Sequence, residues 1–166
     1  MEISPIDLML LVSEASVGAS EVPPRSNRGP YVERVLAFTH TEFGKPWCAS
    51  QFSRWGAKCF GDEWPLPITA SVQEICDAAE RIGVRYIPSA SGKGKPRVGD
   101  AYALWGEKEN RYSHIGLVIA VGKGTTITAR DGNTSGAGER DGWLVWEKER
   151  TLTSKDRLIR WAEALK

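Results

Sequence analysis

Gly44-Lys-Pro-Trp-Cys-Ala-Ser-Gln-Phe-Ser-Arg-Trp-Gly-Ala-Lys-Cys59 is the stretch around which the rest of the chain is organised. Gly44 and Pro46 are poorly tolerated inside a helix, so they predict a turn at the start of this stretch. After the turn, apolar residues recur at i, i+4, i+7 and i+11 from Cys48 to Cys59. This spacing predicts a buried helix in which Cys48 is the first inward-facing residue.

A cysteine in the first turn of a helix is well placed for catalysis. It meets backbone N–H groups that have no partner within the helix, together with the positive end of the helix dipole. Both favour the thiolate, which is the nucleophilic form. The alternative is an ordinary core residue, because a free cysteine packs as a small hydrophobe. From the helix alone, both interpretations of Cys48 stay open.

The composition excludes several classes of protein. A chain of 166 residues is long enough for one domain with a buried core. Its net charge of +1 gives no reason to expect nucleic-acid binding. No apolar run approaches the roughly 20 residues of a membrane span. The first residues lack a basic segment and carry Asp7 within their apolar stretch, so we expect no signal peptide.

The three cysteines do not predict a disulfide framework, because their number is odd and no signal peptide is expected. Cys59 and Cys76 lie on apolar helix stripes, and we expect both to be core residues. The chain has no Cys-x-x-Cys or His-x-x-x-His pair, and its only histidines are His40 and His114. We therefore expect no metal site and no cofactor.

Predicted helices come first along the chain and predicted strands second. The helices are predicted at residues 5–17, 31–41, from 48 onwards and 71–82. The strands are predicted at 84–87, 100–105, 113–122, 125–130 and 142–149, with residues 157–165 open between strand and helix. This order indicates an α+β fold with an antiparallel sheet, formed by a single domain over residues 1–166.

His114 lies near the start of the predicted strand 113–122. A period of two places Ile115 and Leu117 on the core face, and His114 and Gly116 on the other face. That other face carries small residues apart from the histidine, so a helix or a substrate backbone can approach it closely. An imidazole there can deprotonate a facing thiol and later protonate a leaving amine. The alternative is an ordinary half-exposed histidine, because most histidines are not catalytic.

Asp131-Gly-Asn133 follows the predicted strand 125–130, which should form a hairpin with the His114 strand. In such a hairpin, the end of the second strand lies beside the start of the first. We therefore expect Asp131 or Asn133 near His114, where either can accept the Nδ1–H and fix the tautomer. The same three residues are also common in simple turns.

Several short motifs occur in one order along the chain and together resemble the CHAP family. They are an aromatic-Cys-Ala helix start, a Pro-x-x-Gly-Asp motif at 96–100, a Ser-His-Ile-Gly-Leu-Val strand at 113–118 and a Gly-Asn-Thr segment at 132–134. Residues 26–32 also resemble the segment that precedes the catalytic helix in small CHAP proteins. The resemblance covers roughly residues 8–150. The family comprises cysteine, histidine-dependent amidohydrolases and peptidases of the NlpC/P60-like, papain-related superfamily.

The resemblance implies a papain-like fold, with an N-terminal helical half packed on the C-terminal antiparallel sheet. It implies that Cys48 is the nucleophile and His114 the base. The third group of the family is often Glu, and it falls here on Asp131, with Asn133 matching the family's Asn. The shorter Asp131 side chain leaves open whether Asp131 or Asn133 orients the imidazole.

Two further expectations follow from the resemblance. The backbone N–H of Cys48 would help to bind the oxyanion, and Trp47 would line the cleft as a substrate-binding residue, although an aromatic cap of the helix is an equal interpretation. Some larger CHAP domains bind calcium through an acidic loop before the cysteine. Here that loop offers only Glu42, so we expect no calcium.

The function expected from the resemblance is peptidoglycan hydrolysis through a thioester intermediate. The bond would be the N-acetylmuramoyl–L-alanine amide or a peptide bond of the stem or cross-bridge. One alternative is a cysteine amidase acting on a small amide or isopeptide substrate. Another is a non-catalytic module that binds cell-wall peptide.

The partner expected on this interpretation is the peptide part of peptidoglycan, bound by a monomer. Without a signal peptide, the protein would be made in the cytoplasm and would act on the cell wall after holin-type release, as a phage or prophage endolysin. A bacterial toxin delivered by a secretion machine is the other route, and it would bring an immunity or delivery protein as partner.

Overall fold

The computed structural model describes residues 3–134 and 142–166. The predicted single domain also includes residues 1–2 and 135–141, which lie outside the described part. The helices are α1 (Pro5–Glu14), α2 (Pro30–Phe38), α3 (Cys48–Phe60) and α4 (Val72–Arg81). The strands are β1 (Arg85–Tyr86), β2 (Ala101–Gly106), β3 (Arg111–Val121), β4 (Thr126–Thr134), β5 (Leu144–Thr151) and β6 (Arg157–Ile159). Among the described helices, none combines the length and apolar character that crossing a membrane requires.

The six strands form one antiparallel sheet in the order β1-β6-β2-β3-β4-β5. The helices precede the sheet in the chain, so the predicted α+β class with an antiparallel sheet is confirmed. The predicted hairpin is also present, since Val121 at the end of β3 pairs with Ile127 near the start of β4.

Helix α3 is the centre of the core, and it begins at Cys48 as its sequence pattern predicts. Phe52 and Trp55 are almost fully buried in the same hydrophobic cluster as Ile115 and Leu117 of β3. A second cluster contains Val118 and other residues of the sheet. Because successive side chains of a strand point to opposite faces, β3 is buried on both sides in its central part.

Two helices end earlier than predicted. Helix α1 stops at Glu14, because the backbone at Gly18 and Ala19 turns away to form hydrogen bonds with Val145 of β5. Helix α2 stops at Phe38 rather than near residue 41, and the side chain of Phe38 is exposed.

The strand ends differ from prediction where the site is formed. Strand β4 continues past Arg130 to Thr134, so Asp131 and Asn133 lie in a strand rather than in a turn. Strand β5 continues to Thr151, two residues beyond the predicted end. The open segment at the C-terminus contains both alternatives: β6 ends at Ile159, and a short 3₁₀ helix follows.

Candidate active site

Cys48 is placed between β3 and β4 by the N-terminus of α3. The pairing of these two strands begins with Leu117 opposite Arg130, so the residues of β3 before Leu117 are not paired with β4. Cys48 fills this position: its Sγ lies 3.9 Å from the carbonyl oxygen of Ser113 and accepts a hydrogen bond from the backbone N–H of Ile115. The thiol is therefore fixed against the strand that carries His114.

The pKa of the Cys48 thiol is below its ordinary value, although burial alone would raise it. A hydrogen bond with His114 and the positive charge of this histidine lower the pKa, and so do the backbone N–H groups of Ile115 and Ala49. The two other cysteines behave in the opposite way. Burial raises the pKa of Cys59 to about 11 and that of Cys76 to about 12. Among the three thiols, Cys48 is the one prepared to ionise.

His114 contacts Asp131 through Nε2, not through the Nδ1 that we expected. The Nε2 atom lies 3.1 Å from Oδ2 of Asp131, which leaves Nδ1 as the ring nitrogen for the Cys48 thiol. Both side chains are buried. Burial alone would lower the pKa of His114, but the charge and hydrogen bond of Asp131, with a contribution from Cys48, raise it to about 9. This geometry favours an imidazolium beside a thiolate.

Two residues that the sequence did not single out hold the Asp131 carboxylate. The Tyr102 hydroxyl donates to Oδ1 at 2.5 Å, while Arg150 donates to Oδ2 from Nη2 at 2.5 Å and from Nε at 3.2 Å. Asp131 is fully buried, and its pKa is held below the usual range, against the effect of burial, by His114, Arg150 and Tyr102. The four ionised groups of Cys48, His114, Asp131 and Arg150 balance in charge.

The sequence gives some indication that Tyr102 and Arg150 belong to the site. Tyr102 is directly opposite Gly116 in the β2–β3 pairing, so a period of two from His114 leads to it once the register is known. Arg150 lies on β5, beyond the predicted end of that strand. The close approach expected beside Gly116 is also present, but the Asp131 carboxylate makes it, rather than a helix or a substrate.

Asn133 lies in the wall of the cleft, beside but separate from the His114–Asp131 contact. One extra residue of β4 between Asp131 and Thr134 forms a bulge, and Asn133 has a positive φ of 55° there. Its Oδ1 is buried and has no hydrogen-bond partner among the described residues. Of the two candidates for orienting the imidazole, Asp131 is therefore the one in contact with it.

Trp47 does not line the cleft, which corrects the expectation of a substrate-binding role. Its side chain is fully buried, and its Nε1–H donates to Oε1 of the buried Glu21 at 2.9 Å. Oε2 of Glu21 accepts a hydrogen bond from the backbone N–H of Asn27. Trp47 thus fixes the loop before α2 against the start of α3, which is a structural role.

An open cleft of about 420 Å³ leads to the thiol. Cys48, His114 and Asn133 lie in its wall, whereas Asp131 is behind His114 and away from the opening. The other residues that line the cleft are mostly of polar types, and they are Thr39, Thr41, Lys45, Pro46, Thr69, Ala70, Ser71, Val72, Glu109, Arg111, Tyr112 and Ser113. A carbonyl group in this cleft can reach the thiol and the imidazole together.

Gly116 allows the Asp131 carboxylate to approach β3, so we expect Gly116→Ala to disrupt the site. A Cβ atom on Gly116 would overlap Oδ1 of Asp131 and would also be too close to the Arg130 carbonyl. We expect a loss of about 1–3 kcal/mol in unfolding free energy, and kcat/KM at least about tenfold lower because Asp131 is displaced. Gly122→Ala is the control, since a Cβ there makes only ordinary contacts with Thr126. Equal behaviour of the two variants in denaturation and activity would contradict this expectation.

Iodoacetamide at neutral pH should modify Cys48 before the other two cysteines. We expect Cys48 to react at least about tenfold faster, because it lies in the cleft and is the thiol with the lowered pKa. Peptide mapping by mass spectrometry over time measures the three rates. Cys59 and Cys76 serve as internal controls. If the three cysteines react at the same rate, Cys48 is not activated and the assignment of the nucleophile is wrong.

Within residues 3–134 and 142–166, no group of three or more His, Cys, Asp or Glu side chains is arranged to hold a metal ion. The described residues do form a series of contacts from a thiol to an imidazole and from the imidazole to a carboxylate. This arrangement is suited to nucleophilic attack on a carbonyl group. Comparisons of the chain with protein-family models, with curated proteins and with solved structures gave no match in any of the three.

Proposed function

We propose that this protein is a cysteine amidohydrolase or peptidase with a papain-like arrangement of helix and sheet. The observation that carries the proposal is the buried series Cys48–His114–Asp131, which opens through Cys48 and His114 into the cleft. The lowered pKa of the thiol and the raised pKa of the imidazole support an ion pair in the resting site. Such a pair is the reactive form of a cysteine nucleophile.

In the proposed reaction, the Cys48 thiolate attacks the carbonyl carbon of an amide and forms a tetrahedral intermediate. The backbone N–H of Cys48 is a donor for the oxyanion, because the first N–H groups of α3 have no partner within the helix. His114 then donates its proton to the leaving amine, and a thioester with Cys48 remains. Water, deprotonated by His114, attacks the thioester and releases the carboxylic acid and the thiol. Asp131 keeps the imidazole oriented throughout.

We propose peptidoglycan as the substrate, with cleavage at the muramoyl–L-alanine amide or within the peptide part. The resemblance to the CHAP family supports this choice. The cleft supports a peptide substrate, because it is open and lined mainly by polar and small apolar side chains. For the route to peptidoglycan, we propose release by a holin or delivery by a secretion machine.

Digestion of purified sacculi tests the proposed function. We expect the protein to release soluble fragments that carry new amino and carboxyl termini at one type of bond. Mass spectrometry of the fragments identifies this bond and separates an amidase from an endopeptidase. Protein whose Cys48 has been alkylated is the matched control and should release none. If untreated protein generates no new termini from sacculi of any chemotype, peptidoglycan is not the substrate.

A further inference from the structure

Most polar groups in the wall of the cleft already have partners in the protein. The Thr39 hydroxyl bonds the Ser50 hydroxyl at 2.7 Å, and the Thr69 hydroxyl donates to Glu74 at 2.6 Å. Ser71 caps α4 by accepting a hydrogen bond from a backbone N–H. These groups stabilise the fold and contribute little to the recognition of a charged ligand.

Two cations in the wall have little or no compensating charge from the described residues. Arg111 is exposed, and its side chain makes no hydrogen bond or ion pair within the described ranges. Lys45 is 60% exposed, and the ion pair it makes within the described part of the chain, with Glu42, is long at 3.9 Å. Glu109, the acidic residue among the described residues of the wall, has an interaction of its own. Among the described residues, the cleft therefore presents positive charge that is at most weakly compensated, beside catalytic groups whose own charges balance.

We infer that Arg111 and Lys45 bind a free carboxylate of the peptide substrate. This inference rests on the proposed function. Lys45 lies three residues before the nucleophile, and Arg111 lies three residues before His114 on β3. Strand β3 rises roughly 3.3 Å per residue, so Arg111 is about 10 Å along the strand from His114. An extended peptide covers this distance in about three residues. The carboxylate therefore lies within about three residues of the scissile bond.

The predicted substrate is a stem peptide in which a side-chain carboxylate or an α-carboxylate is free rather than amidated. Planar, bidentate recognition by Arg111 suits a carboxylate, and the ammonium of Lys45 adds a second charge. Amidation removes the negative charge and retains the size of the group, so it isolates the electrostatic contribution. Salt should weaken the preference, because both cations are exposed to solvent.

Two synthetic stem peptides that differ only in one free or amidated carboxylate test this inference. Their affinities for Cys48→Ala protein are measured by calorimetry, so binding is observed without turnover. We expect the free-carboxylate peptide to bind about fivefold to tenfold more tightly. When Arg111→Gln and Lys45→Gln are both added to the Cys48→Ala protein, the ratio of the two affinities should fall to about one. Arg111→Lys should retain part of the preference.

Lys123→Gln is the matched control, because Lys123 is an exposed cation in the β3–β4 turn, at the opposite end of β3 from Arg111. It should leave the preference unchanged. Equal affinities for the two peptides, no binding of either, or a preference that persists without both cations would overturn the inference. Cleavage by the unmodified protein is measured separately. If both peptides are cleaved without a binding preference, the proposed function stands and the carboxylate site does not exist.

Discussion

Replacement of Cys48 by alanine should abolish hydrolysis while leaving the fold intact. We expect kcat/KM to fall by about 10⁴-fold or more, because no other group in the described part of the cleft can form the thioester. The change removes one buried sulfur atom, and the cavity it leaves should reduce the unfolding free energy by about 1 kcal/mol. Sacculus digestion and thermal denaturation measure the two effects.

Two further variants make the Cys48 result specific. Cys76→Ala removes a fully buried thiol whose pKa is raised to about 12, and it should retain activity. Cys48→Ser keeps the size of the group but replaces a thiol with a hydroxyl that does not ionise near neutral pH, so it should be nearly as inactive as alanine. If Cys48→Ala protein releases the same termini as the unmodified protein, the thioester mechanism is wrong.

The helical half and the position of Cys48 were predictable from sequence because each depends on local chemistry. Gly44 and Pro46 mark a turn, and the apolar spacing that follows fixes the start and the inward face of α3. Asp131 could be placed near His114 for a similar reason, since a short hairpin determines which strand ends are neighbours.

The parts that the sequence did not reveal depend on register and on irregularities of the sheet. The bulge at Gly132 and Asn133 keeps β4 extended past Arg130, although Asp-Gly-Asn is typical of a turn. Arg150 reaches Asp131 from a different strand, 19 positions away in the chain. Periodicity cannot find such a partner until the pairing of β4 with β5 is known. For Trp47 the sequence left two interpretations open, because an aromatic residue beside a cleft and one buried at the start of a helix look alike in sequence; the structure has the second.

Replacement of Asp131 by asparagine should cause the second large loss of activity. We expect kcat to fall by about 10³–10⁴-fold, because an amide neither stabilises the imidazolium nor holds it in one orientation. It also leaves the partly buried Arg150 without its carboxylate, which should reduce the unfolding free energy by about 3–5 kcal/mol. Asp156→Asn is a control for the loss of a buried carboxylate elsewhere, since Asp156 bonds the backbone of Trp105 and Thr153.

The pH profile separates the catalytic effect of Asp131 from its effect on stability. The active ion pair requires a protonated His114, whose pKa of about 9 sets the alkaline limit of kcat/KM. Because the negative charge of Asp131 raises this pKa, Asp131→Asn should move the alkaline limit to lower pH. Adding Arg150→Met should recover much of the lost stability by removing the unpaired, partly buried charge, without restoring activity or the original limit. If the double variant regains full activity, Asp131 serves only to neutralise Arg150, and the imidazole does not depend on it.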